Sequence, residues 1–153
     1  MRKILVSGCL YGWLCRYDGE KIVCTDSRLL KWKEEGRLVP ICPEVFGGLP
    51  TPRPDSQRVG EKVVTAAGED MTKPYEIGAR EALRLAKEHD VLFAIMKEDS
   101  PSCGSRFIYD GTFTGTKIEG AGRASQLLME AGFRVLNENM IDEAAALLEQ
   151  AET

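Results

Sequence analysis

At 153 residues the chain is long enough to bury a core without disulfides or a partner, and it reads as one domain spanning residues 1–153. Its 43% hydrophobic and 29% charged content excludes a disordered chain and a membrane protein. A net charge of -4, with Lys and Arg scattered, excludes the basic footprint of a nucleic-acid polymer binder and leaves a small-molecule ligand open.

The opening MRKILVSGC carries too few apolar residues for a signal region or a membrane span, so a cytoplasmic protein is expected. Lys3 to Ser7 is a short apolar run that predicts a buried strand, followed by a loop bearing Cys9. Arg16-Tyr17-Asp18-Gly19 is a turn signal, and Thr25 or Asp26 caps a helix through Ser27, Leu29, Leu30 and Trp32 that Gly36 closes. Leu38 to Ile41 predicts a second strand, ending on Cys42. The glycines and prolines of Pro43 to Pro54 predict a shaped loop that can continue neither helix nor strand and walls a site. Val59 to Thr65, meeting Ala66 to Asp70, predicts an excursion or hairpin.

From Lys73 to His89 the pattern is helical, with Ala82, Leu85 and Ala86 on one face. Val91 to Met96 is the most apolar run and predicts a central parallel strand. Cys103 follows in Ser100-Pro101-Ser102-Cys103-Gly104. Phe107 to Phe113 contains the turn Tyr109-Asp110-Gly111, and Thr112 to Gly122 reads as a hairpin running into a glycine-rich helix start, whose N-terminus is expected to face the site and favour an anion. A helix near Arg123 to Ala131, a strand at Phe133 to Leu136 and a helix at Ile141 to Gln150 complete the chain. Alternating strands and helices imply an α/β fold, with a parallel sheet of about four strands and helices on both faces.

In a parallel sheet the C-terminal strand ends share one edge, so Cys9, Cys42 and Cys103, each following a strand, are expected to converge there. Three thiolates facing one point suit a soft metal centre. A cubane cluster usually takes four cysteines, so three leave one iron open to substrate. Each cysteine taken singly is better explained as a small buried residue; the convergence reverses that preference and favours the metal. Cys15 and Cys24 lie at no strand end and are read as structural, with a fourth-ligand role left open. The chain has no CxxC pair and its one histidine, His89, falls at a helix end, which argues against zinc. Glu44, two residues past Cys42, is placed to act as general acid or base, with Asp99 a rival. Ser100 and Ser102 would orient a ligand or cap the loop, and Arg53 would pair with an anion or, in the favoured reading, tie down the proline-rich loop.

Taken together, SGCLYGWLCRYDG, ICPEVFGGLPTPR and SPSCGSRFIYDGTFTG resemble a bacterial and archaeal family, first described as a domain of unknown function, whose characterised members are iron-sulphur thiouracil desulfidases. The resemblance covers nearly the whole chain. It implies a Rossmann-like α/β domain with a 4Fe-4S cluster on residues matching Cys9, Cys42 and Cys103. It also implies a catalytic acidic residue matching Glu44, a catalytic serine matching Ser100, and a small thiolated base or related thioamide as substrate; for the assembly, a monomer or homodimer is expected, with the choice left open. Two other readings stay open: a non-catalytic iron-sulphur sensor or sulphide carrier, and a metal-free nucleotide-binding module using the glycine-rich segment near Gly120.

Overall fold

The computed structural model describes residues 1–19 and 26–152, so Cys24 and Thr25 lie outside the described residues. In its first half the chain forms β1 (Ile4–Ser7), α1 (Gly8–Tyr11), α2 (Ser27–Glu34), β2 (Leu38–Ile41), α3 (Pro43–Phe46), β3 (Ser56–Val59) and β4 (Lys62–Thr65). The second half forms α4 (Thr72–Glu88), β5 (Phe93–Met96), β6 (Phe107–Tyr109), β7 (Lys117–Glu119), α5 (Arg123–Glu130), β8 (Val135–Asn137) and α6 (Ile141–Glu152). Strands β2, β1, β5 and β8 pair in that order, all parallel, as the alternating pattern predicts.

Because successive side chains of a strand point to opposite faces, the apolar run of β1 feeds two cores at once. Ile4 and Val6 join Phe93 and Ile95 of β5 against Leu29 and Trp32 of α2 and Ile141, Ala144 and Leu148 of α6. Leu5 joins Ala94 and Met96 against Ala79, Ala82 and Ala86 of α4 and Ala124 and Leu128 of α5. Both faces of the sheet are therefore covered by helices. The alanine stripe lets α4 lie close on its face, and Leu85 packs at the margin of that core.

Two local expectations are corrected. Pro43 to Phe46, expected as loop, forms a helical turn, because proline at a first helical position has its φ already set and no N–H to lose there. Cys9 sits in the helical turn α1, which begins directly at the end of β1. Elsewhere the local chemistry acts as read: Asp26 caps α2 by accepting the Arg28 N–H at 2.9 Å. The excursion is an antiparallel hairpin of β3 with β4, and the hairpin expected before the glycine-rich helix start forms as β6 with β7. Among the described residues no helix is long and apolar enough to cross a membrane.

Candidate active site

The C-terminal edge of the sheet opens into a cavity of about 530 Å3 whose lining includes Cys9, Cys15, Cys42, Cys103, Glu44, Ser100 and Ser102. Every site residue expected from the sequence is thus brought together: Cys9 by α1, Cys42 by the start of α3, and Ser100, Ser102 and Cys103 by the loop after β5. Cys15, which sequence reasoning set aside, joins them. Gly12 ends α1 in the left-handed region, at a φ of 116°, and the reversed chain carries Cys15 back to the cavity.

The thiols crowd one another. Cys15 forms hydrogen bonds with the side chains of both Cys42 and Cys9; the bond with Cys42 pulls it down, but Cys9 and burial outweigh this and raise it to about 11. Cys42 is pushed well above the usual thiol range by its bond with Cys15, by burial and by the negative charge of Glu44. Burial likewise pushes Cys103 up to about 12, against hydrogen bonds from Ser7 and Ser102. The cations that line the cavity, Arg16, Arg53 and Lys97, are each paired with a carboxylate, and the shifts of Cys15, Cys42 and Cys103 are all upward. Metal ions would hold these sulphurs as thiolates together, and binding them would release the thiol protons. Among the described residues no three His, Cys, Asp or Glu side chains are gathered tightly enough to hold one metal ion. In a polynuclear cluster each thiolate ligand takes a different iron, a role open to several cysteines lining one cavity.

Glu44 is the opposite case. Its carboxylate is buried, and all four of its side-chain contacts are donors. Arg53 Nε donates to Oε1 at 3.0 Å and the Tyr75 hydroxyl donates to the same oxygen at 2.9 Å. Ser102 Oγ donates to Oε2 at 2.9 Å and Ser100 Oγ at 3.3 Å. Burial beside this charge pushes the Tyr75 phenol far up, so it stays a donor. The arrangement depends on two glycines. A Cβ on Gly78 would lie 1.8 Å from the Pro43 carbonyl oxygen, and one on Gly47 would lie 2.0 Å from that of Pro74, so α3 reaches α4 only because both lack one. That contact carries Glu44 to Tyr75.

Arg53 fills both of its expected roles. Besides Glu44 it donates to the carbonyls of Pro50 and Cys15, at 3.1 and 2.8 Å, fixing the proline-rich loop and the Cys15 segment to the carboxylate. Ser100 also has two roles: its Oγ accepts the N–H groups of Ser102 and Cys103, both at 3.1 Å, which shapes the cysteine loop. Glu98, absent from the sequence reading, anchors that loop from below. Its Oε1 accepts the N–H groups of Ser105 and Arg106 at 2.9 and 3.1 Å, and Asn137 of β8 donates to Oε2. Although desolvation opposes it, these backbone bonds hold the Glu98 carboxyl below its ordinary range.

Asp99 also lines the cavity, with its carboxylate paired to Lys117 Nζ at 2.9 Å as that of Glu44 is paired to Arg53. One expectation fails here. The N-terminus of α5 offers no free anion cradle. Its N–H groups at Arg123 and Ala124 donate to the carbonyls of Pro101 and Ser102, both at 2.9 Å, and so brace the cysteine loop. The glycine-rich segment before it is structural for the same reason.

The family model described as 2-thiouracil desulfurase matches residues 4–140. An uncharacterised protein of Bacillus subtilis (strain 168), YbbK, is 44% identical over 150 residues, covering 92% of this chain and 98% of its own. The solved structure of the [4Fe-4S]-dependent thiouracil desulfidase TudS superposes with a TM-score of 0.96 at 44% identity, covering 98% of this chain and 99% of that one.

Proposed function

The chain belongs to the 2-thiouracil desulfurase family, and on that basis we propose that it is a [4Fe-4S]-dependent desulfidase acting on a thiolated nucleobase such as 2-thiouracil. The overall reaction exchanges sulphur for oxygen: water and the C=S group give the oxo base and hydrogen sulphide, with no net change in oxidation state. The observation that carries the reading is Glu44, a buried carboxylate held by four side-chain donors beside a thiol-lined cavity.

Cys9, Cys42 and Cys103 would hold the cluster. When bound, the cluster supplies a thiophilic iron without a protein ligand, which draws the thiocarbonyl sulphur and makes it a better leaving group. The protein's part is proton management. Arg53 and Tyr75 occupy Oε1 of Glu44 and fix the plane of the carboxylate, which leaves Oε2 as the oxygen that takes a proton. Ser100 and Ser102 share that oxygen and lie 3.0 Å apart, so the Ser100 hydroxyl, on the more accessible side, orients the attacking water and passes its proton to Glu44 Oε2. Glu44 then returns that proton to the departing sulphur, and takes up and passes on the second as the added hydroxyl becomes the carbonyl, so that both protons of the water leave on hydrogen sulphide.

The whole chain, residues 1–153, acts as one unit in the cytoplasm, where its free thiols remain reduced, as a monomer or homodimer without a nucleic-acid polymer partner. Sulphide and uracil released from 2-thiouracil by anaerobically reconstituted protein would support the reading. Absence of sulphide from every thiolated base tried would overturn it.

A further inference from the structure

The mechanism leaves unused the motif Tyr109-Asp110-Gly111-Thr112-Phe113-Thr114-Gly115, although its loop closes one side of the cavity. Within it Gly111 and Gly115 have φ values of 92° and 80°, where glycine is the ordinary choice. Phe113 lies between them at a φ of 59°, in the same left-handed region, which a bulky side chain rarely adopts and pays for in backbone strain. Glycine would fit that backbone better. The strain is retained and also clamped: the buried Gln57 accepts the N–H groups of Gly111 and Phe113 on its Oε1, at 2.9 and 3.3 Å. The loop is further pressed onto β3, since a Cβ at Gly111 would lie 2.6 Å from Val59 Cγ2. Phe113 itself lines the cavity and is only half-buried, so its ring has surface to offer to a ligand.

A flat heterocycle whose sulphur is engaged at the thiol side still needs a surface for its π face, and an aromatic ring held rigidly is the usual one. We propose that Phe113 is a specificity-determining residue, the platform on which the planar base stacks, with Gln57 holding it in its strained conformation. This rests on the desulfidase reading for the identity of the ring but not for the stacking itself.

The test compares wild type with Phe113→Gly, Phe113→Leu and Phe113→Trp, all carrying cluster. Uracil binding is measured by equilibrium dialysis, beside KM and kcat for 2-thiouracil and the visible absorption of the cluster. Phe113→Gly removes the ring while relieving the backbone, so its melting temperature is expected to hold or rise. Uracil binding is expected to weaken roughly tenfold in the Gly and Leu variants, within the span that base–aromatic stacking supports. KM rises with it, kcat changes less, cluster absorption is unchanged, and Phe113→Trp restores binding. Uracil bound equally by wild type and the Gly and Leu variants, or not bound by wild type, would overturn the proposal. Ring-dependent uracil binding without sulphide release would sustain the platform and sink the desulfidase reading; sulphide release with unchanged KM in the variants would do the reverse.

Discussion

The two halves of the cavity are built on opposite electrostatic plans. On the carboxylate side, Glu44 has an arginine, a tyrosine and two serines around it, so its charge is met entirely by the protein. On the thiol side, Cys9, Cys15, Cys42 and Cys103 gather around the cavity, whose cations Arg16, Arg53 and Lys97 are already paired with carboxylates, and the shifts of Cys15, Cys42 and Cys103 are all upward. One half is finished when the chain folds. The other is finished only by a positively charged group, which is how a cofactor site differs from a preorganised acid–base site.

The comparison breaks most sharply at Glu44. Glu44→Gln keeps the shape and the thiols, so cluster content should be retained while sulphide release falls about 10²- to 10⁴-fold, the usual worth of a general acid–base group. Arg53→Met should act on the finished half even without cluster. It leaves a buried carboxylate without its cation, and urea unfolding of the apo-protein should show a loss of about 3–5 kcal/mol. A stability unchanged by Arg53→Met would mean that the carboxylate side is not preorganised at all.

Smaller changes sharpen the division. Tyr75→Phe removes one donor to a charged oxygen and should cost about 1.5–3 kcal/mol in the same unfolding assay. Ser102→Ala should slow turnover roughly tenfold, the loss expected of one hydrogen bond, with cluster absorption intact. Ser100→Ala should slow it more and also lower the melting temperature, because the same oxygen caps the N–H groups of Ser102 and Cys103. Equal effects of the two serine variants on both quantities would contradict the division of labour given to them.

Much of this was legible from the residues, for identifiable reasons. Apolar runs such as Ile4 to Ser7 and Phe93 to Met96 have no alternative to burial in a parallel sheet. Topology then brings Cys9, Cys42 and Cys103 to one edge without further information. Glu44 and Ser100 lie within a few residues of those cysteines and are carried along. Cys15 is not legible this way, because its return depends on the left-handed Gly12 rather than on a strand end. Tyr75 gives no local sign either: it lies in the first turn of α4 and reaches Glu44 only through the glycine contacts of Gly47 and Gly78. Glu98 could have been suspected from its place just after the apolar run of β5, but the backbone donors it gathers belong to a loop whose shape is a tertiary outcome. The proline-rich segment misleads because proline opens a helix as readily as it stops one, and Pro43 does the former.

The central claim, that the thiol half is completed by a cluster on Cys9, Cys42 and Cys103, is met most directly by iron and acid-labile sulphide analysis of anaerobically reconstituted protein and its four single Cys→Ser variants. Four irons per chain are expected in the wild type, as in the [4Fe-4S] desulfidase that the chain resembles, with loss in the Cys9, Cys42 and Cys103 variants and retention in Cys15→Ser. A colourless wild type, or a cluster that survives any of the first three substitutions, would contradict it.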